Sequence, residues 1–283
     1  MDPAEPSGTA LPVGRSNLVT RIASSLVLAP LAIGAAWFGG IVFAAFWMVV
    51  AICVIWEWDT LVCAHDKRPV LTIGSVAIIG AGLLLILGRT LTPIALVLLG
   101  TLGVVTLASK AHRAWCVGGV LYAGALLIAP VLLRRDPAHG FAALVFLFAV
   151  VWLTDIVAYF CGRALGGPKL MAAVSPKKTW SGAIGGTLGG IVGGIAVASY
   201  AGITNLVAVG VLALVLSVTS QAGDLLESAI KRRFDTKDAS NLIPGHGGVM
   251  DRVDGFVIAA FVAAVIGFAR GGAETPAQGL LVW

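Results

Sequence analysis

The chain has 283 residues, 58% of them hydrophobic and only 12% charged, with a mean hydropathy of +0.97. Soluble domains carry about 25% charged residues, so this composition excludes a water-soluble globular protein and indicates one that crosses the bilayer many times. The net charge of +5 is modest; its distribution says more than its size, and no nucleic-acid partner is expected.

Residues 1–17 are polar and rich in Pro and Gly, with no basic segment ahead of an apolar one. They are expected to form a disordered cytoplasmic tail rather than a cleaved signal. A helix needs about 20 apolar residues to cross the hydrocarbon core. Nine stretches qualify, near 19–38, 40–57, 70–88, 92–109, 114–133, 140–160, 182–201, 204–229 and 253–270. The expected fold is all-α, with spans one to five in an N-terminal region (18–135) and spans six to nine in a catalytic region (136–283). Only Gly39-Gly40 separates the first two spans, which predicts a tight turn. With the N-terminus cytoplasmic, every Lys and Arg except Arg89, Arg134, Arg135 and Arg270 falls in the tail or in cytoplasmic segments. That asymmetry puts the two long polar loops in the compartment holding nucleoside triphosphates; the expected location is the cell (inner) membrane, as a multi-pass protein.

Trp56-Glu57-Trp58-Asp59 closes the second span. The tryptophans read as belt residues at headgroup level, and Glu57 either lines a site or is an ordinary interfacial acid. Cys53, Cys63, Cys116 and Cys161 show neither metal-type spacing nor a disulfide framework and read as small core residues. His65, His112 and His139 are isolated in loops. Asp155 interrupts the apolar sixth span. A lone carboxylate at mid-helix costs roughly 2.5–3.5 kcal/mol, which favours a cavity and a cationic or metal partner.

Further on, Ser175, Lys177, Lys178 and Thr179 precede the seventh span. Two lysines and two hydroxyls at a helix N-terminus make a phosphate cradle, although a Lys-Lys pair at a helix end also serves as a plain membrane anchor. Gly182, Gly186, Gly190 and Gly194 then recur every fourth residue, on one helical face. Packing within the chain is the favoured reading of that stripe, and a homodimer interface is the other.

The densest polar stretch is Gln221–Gly255. It holds six of the fourteen carboxylates (Asp224, Glu227, Asp235, Asp238, Asp251, Asp254) and five of the nineteen cations (Lys231, Arg232, Arg233, Lys237, Arg252). Asp224, Ser228 and Lys231 share a helical face, and that helix is expected to stop near Phe234 or Asp235. Pro244-Gly245-His246-Gly247-Gly248 cannot be regular helix and leaves backbone N–H groups free for an anion. A new helix is expected from about Val249. Its acids Asp251 and Asp254, with Asp224 on the preceding helix, suit Mg²⁺, which takes carboxylate and phosphate oxygens. A solvated loop with helix-cap acids is the plainer alternative. On the residues alone the inventory supports metal-assisted phosphoryl or nucleotidyl transfer involving a lipid.

Ser228, Ile230, Lys231-Arg232, Lys237-Asp238, Ser240, Pro244, His246-Gly247-Gly248, Asp251-Arg252 and Asp254 together resemble the signature of the phosphatidate cytidylyltransferase (CDP-diacylglycerol synthase) family. Thr154–Tyr159 and Ser175–Gly182 are similar to two further elements of that family. The resemblance is clear over 144–255, with the signature in the loop 228–254, and rests on hydropathy and layout before that. It implies that CTP and phosphatidic acid react to give CDP-diacylglycerol and pyrophosphate. Under it, Asp224 and Asp251 would ligate Mg²⁺, with Asp254, Asp238 and Asp155 completing the metal site or supporting it. Lys177, Lys178, Lys237 and Arg252 would neutralise phosphates, and Ser175, Thr179, Lys231 and Arg232 would join the substrate site. Gly247 and Gly248 would shape a phosphate-binding turn with His246, either a turn residue or a proton-transfer group. In family members K⁺ assists Mg²⁺. A transporter of anionic metabolites predicts two symmetric halves with broken helices, and the sequence lacks that symmetry. A CTP-using lipid kinase or ether-lipid cytidylyltransferase shares location and nucleotide but not the full signature.

Overall fold

The computed structural model describes residues 13–62, 67–243 and 247–283. Its elements are helices α1 (Val13–Phe38), α2 (Gly40–Val62), α3 (Lys67–Ile86), α4 (Thr92–Leu107), α5 (Arg113–Arg134) and α6 (Gly140–Leu165), strands β1 (Lys169–Met171) and β2 (Ser175–Thr179), and helices α7 (Trp180–Tyr200), α8 (Leu206–Arg233), α9 (Met250–Gly271) and α10 (Pro276–Leu281). Inside a bilayer only helices satisfy every backbone group within one segment, and the apolar runs duly form helices.

Seven of these helices are long and apolar enough to cross a membrane: α2, α3 (from Arg68), α5, α6, α7, α8 and α9. α4, with 16 residues, and the apolar part of α1, Leu26–Phe38, are shorter. Two details refine the expectations. α1 begins at Val13, so residues 13–17, assigned above to a disordered tail, are helical; the isolated Gly14 costs a long helix only about 1 kcal/mol. The fold is all-α, as expected, apart from one short hairpin. β1 and β2 form an antiparallel hairpin, Lys169 opposite Thr179 and Met171 opposite Ser175, from a segment too polar to alternate visibly.

Gly39 and Gly40 both have positive φ, +63° and +50°, and turn the chain between α1 and α2 as their sequence predicts. The glycine stripe of α7 packs on α6 of the same chain. A Cβ at Gly186 would lie 2.6 Å from the Thr154 carbonyl oxygen, and one at Gly190 would lie 2.5 Å from Thr154 Oγ1. The stripe therefore serves internal packing. At the crossing, the buried hydroxyls of Thr154 and Ser217 share a hydrogen bond of 2.7 Å that ties α6 to α8.

One hydrophobic core runs through both halves of the chain. Trp47 of α2 stacks on Phe256 of α9 at 4.9 Å, and Phe148 of α6 stacks on the same ring at 5.4 Å. Trp58 is not a belt residue. It is 4% exposed, donates its Nε1–H to the Trp115 carbonyl at 2.8 Å and lies against Tyr122 of α5; only Trp56 is exposed, at 37%. Cys53 and Cys161 are free thiols. Cys116 is disulfide-bonded, against the expectation, because spacing along the chain does not tell which cysteines a helical bundle brings together.

Three of the four cations that break the charge asymmetry are engaged at one end of the bundle. Arg134 donates to the Ala36 and Trp37 carbonyls at the end of α1, and Arg135 to those of Leu85 and Arg89 after α3. Arg270 donates to Gly279 and Val282 and lies 3.5 Å over the Trp283 ring. Apart from the Arg89 carbonyl in the loop after α3, these oxygens lie in or just after the last turn of a helix, where donors within the helix run out. Asp136, 1% exposed, caps the same end, accepting from the N–H groups of Ala138, His139 and Gln278.

Candidate active site

At the other end of the bundle, α6, the β-hairpin, α8 and α9 bring the polar residues together. α8 and α9 approach closely because the crossing is built on glycine. A Cβ at Gly223 would lie 2.8 Å from the Asp254 carbonyl oxygen, and one at Gly255 would lie 2.5 Å from Ser220 Oγ. That contact sets the acids of the two helices side by side, in two groups.

The first group surrounds a cavity of about 540 Å³. α6 contributes Asp155, Tyr159 and Arg163, the hairpin Lys169, Lys177, Lys178 and Thr179, and α8 Gln221 and Asp224. Lys178 Nζ and Asp224 Oδ2 form an ion pair, and Ser228 Oγ lies 3.4 Å from Asp224 Oδ1. Asp155 and Asp254 lie within Coulombic reach of Asp224, and Arg252 of Asp155. Thr179 caps α7, its Oγ1 accepting from the Gly182 N–H at 3.1 Å. Gln221 ties α8 to α7 through Thr187 Oγ1 at 3.0 Å. Ser175 sits half-buried in β2.

The second group is the signature loop closed on itself. Asp251 Oδ1 accepts from Lys231 Nζ at 2.7 Å, and its Oδ2 accepts from the Gly248 N–H at 2.7 Å and the Ala239 N–H at 3.1 Å. Lys231 Nζ also lies 2.6 Å from Glu227 Oε2. The side chains of Glu227, Asp251 and Lys231 are 1%, 5% and 12% exposed. Gly247 has φ +80°, and a Cβ there would fall 2.5 Å from Asp251 Oδ2. The Gly248 N–H thus faces an internal carboxylate. The Ile243 N–H donates to the Gly247 carbonyl at 2.8 Å and closes the turn; His246 lies outside the described residues. Arg232 is exposed and donates to the Thr236 carbonyl, and Lys237 and Asp238 are exposed on the loop.

The geometry therefore gathers Asp155, Asp224, Lys177 and Lys178 at the cavity, with Asp254 within Coulombic reach of Asp224, and ties Asp224 and Asp251 to different lysines. Glu227 and Glu57, to which the sequence reading gave no firm role, are completely or almost completely buried among these residues. Glu227 was legible as the residue three after Asp224 on the same helix. Glu57 was not, because its partners lie more than 180 residues away. Lys169 and Arg163 were likewise passed over, since only the folded hairpin brings Lys169 back beside Arg163 at the end of α6.

Among the described residues, no three His, Cys, Asp or Glu side chains form a ready metal cage. A cage is not required of Mg²⁺, which is commonly held by one or two carboxylates and completed by substrate phosphates and water. Both oxygens of Asp251 are already taken by donors. Asp224 has a single lysine against it, opens on the cavity and has two further acids nearby, so the residues there fit such an ion.

Comparison with known proteins follows the same lines. A phosphatidate cytidylyltransferase of Brucella abortus (strain 2308) is 45% identical over 253 residues, 89% of this chain and 94% of the relative. One from Rickettsia bellii is 30% identical over 254 residues, 87% and 89% of the two chains. One from Haemophilus influenzae is 41% identical over 130 residues, 44% and 45% of the two. Residues 19–269 match the model of the cytidylyltransferase family, and with that match spanning nearly the whole bundle, the chain belongs to this family.

Proposed function

We propose that the protein transfers the cytidylyl group of CTP to phosphatidic acid, giving CDP-diacylglycerol and pyrophosphate, at the cytoplasmic face of the cell membrane. The observation that carries this reading is the cavity at one end of a membrane-spanning bundle, lined by four cations, Arg163, Lys169, Lys177 and Lys178, facing Asp155 and Asp224. The names of the relatives support the choice of substrates, and the location of CTP supports the face.

In this reaction a phosphate oxygen of the lipid attacks the α-phosphorus of CTP. The new O–P bond forms as the bond from the α-phosphorus to the bridging oxygen breaks, and pyrophosphate leaves. The attacking oxygen is already anionic near neutral pH, so no side-chain nucleophile is needed. The barrier is the approach of two polyanions, which is lowered by positioning and by fixed positive charge. Lys169, Lys177 and Arg163 would hold the phosphates at the mouth of the cavity, and Lys178 would stand between the triphosphate and Asp224. Mg²⁺, with K⁺ as a second cation, would neutralise charge on the transferring phosphate, held by Asp224 with Asp155 and Asp254 beside it. Asp251 would act from behind this layer, fixing Lys231 and the loop.

The test is purified protein in detergent with phosphatidic acid, Mg²⁺ and CTP labelled at the α- or the γ-phosphate. Label from the α position should enter lipid with release of one pyrophosphate. Transfer of γ-label alone would identify a lipid kinase and refute the reading.

A further inference from the structure

Glu57 lies near the end of α2, in the half of the chain that carries none of the signature, and is 0% exposed. Its carboxylate is nevertheless fully engaged with the signature loop. Oε1 accepts from the Ser240 hydroxyl at 2.6 Å and from the Val249 N–H at 2.8 Å, and Oε2 from the Met250 N–H at 2.6 Å. Val249 and Met250 begin α9, where N–H groups have no carbonyl partner within the helix and a negative charge opposes the helix dipole favourably. Val249, the residue at the cap position, supplies no side-chain hydrogen bond; the cap comes from another helix 192 residues back in sequence. Gly248 makes room for it, since a Cβ there would lie 2.7 Å from Glu57 Oε1. The Gly248 N–H in turn holds Asp251.

We propose that Glu57 is a positioning residue for cytidylyl transfer. From outside the cavity it fixes the start of α9, and so the register in which Asp251 meets Lys231 and Asp254 lies beside Asp224. Through Ser240 the same carboxylate anchors the loop leading into that helix. A buried ionised carboxylate is an expensive way to fill space compared with an apolar residue of similar volume. What distinguishes it here is that its acceptors bind three donors of one segment at defined positions. The activity readout of this inference rests on the transfer reading above, whereas its structural readout does not.

The experiment uses the full chain in detergent with Glu57→Ala, Glu57→Gln and, as a control, Val54→Ala, a 0% exposed position on the same helix. Turnover is measured per folded molecule with CTP and phosphatidic acid, alongside hydrogen exchange of the segment 247–255. Glu57→Ala should lower kcat roughly 100-fold with little change in either KM, the size expected for an ångström-scale misplacement of reacting groups. Glu57→Gln keeps the shape and one acceptor oxygen, so it should retain more activity; it also keeps the test open if the alanine variant does not fold. Both should lose exchange protection over 247–255, whereas Val54→Ala should lower the Tm and keep both kcat per folded molecule and that protection. Wild-type kcat in folded Glu57→Gln and Glu57→Ala, or a loss no greater than in Val54→Ala, would overturn the positioning role. Should the wild type transfer no cytidylyl group, the transfer reading fails, and the exchange measurement alone decides the clamp: unchanged protection overturns it, lost protection upholds it.

Discussion

Lys231→Met is the most informative single perturbation of the signature loop. Lys231 bridges two acids, 2.6 Å from Glu227 and 2.7 Å from Asp251, with all three side chains nearly out of reach of solvent. Methionine preserves the length and much of the volume but removes the charge, leaving two buried carboxylates without their cation. Breaking a buried pair in this way costs roughly 3–5 kcal/mol, and at a few degrees per kcal/mol for a chain of this size the Tm should fall by about 6 °C or more. Thermal unfolding followed by tryptophan fluorescence in detergent reads the shift, and CTP turnover per folded molecule reads the site. Adding Glu227→Gln removes one of the stranded acids and should recover part of the loss; the double-mutant cycle then gives the coupling directly. An unchanged Tm with a raised KM for CTP would refute this reasoning. Lys231 would then be a substrate ligand open to solvent, and not a buried bridge.

Three further outcomes are expected. Asp224→Asn should lower turnover by roughly 10–100-fold while leaving membrane insertion intact; near wild-type turnover would remove Asp224 from the metal site. Lys178→Ala should raise KM for CTP or phosphatidic acid by roughly tenfold, as expected for loss of one charge-assisted bond of about 1.5–3 kcal/mol, and unchanged KM values for both would argue against a phosphate role. Gly248→Ala should destabilise by roughly 1–3 kcal/mol, because its Cβ would fall 2.7 Å from Glu57 Oε1; a Tm equal to wild type would mean the carboxylate is free to withdraw.

Much of the architecture was legible because membrane helices announce themselves by long apolar runs. The end of α8 at Phe234 and the start of α9 at Val249 follow from local chemistry: a cationic last turn, then glycine and proline, then a fresh apolar helix. The glycine turn after α1 and the packing stripe of α7 were readable for the same reason, since glycine spacing reports directly on backbone approach. The hairpin at 169–179 was hidden because its strands are short and their exposed lysines show no apolar alternation. Trp58 was misread because an aromatic residue near a helix end looks the same in sequence whether it faces headgroups or α5. In the site, the acids of one helix face could be grouped by spacing, but their pairing could not. That Asp251 is bound by Lys231 depends on the close approach of α8 and α9 at Gly223 and Gly255, and that Asp224 is bound by Lys178 depends on where the hairpin lies against α8.

The arginines at the far end of the bundle bear on how such sequences are scored for topology. Arg134, Arg135 and Arg270 each give their guanidinium to carbonyl oxygens at or just beyond the end of a helix. In the folded molecule they cap backbone dipoles, and the partial negative charge at a helix end, about half an elementary charge, offsets part of each cation. A tally of cations per loop gives them the same weight as a lysine waving in solvent and takes no account of that offset.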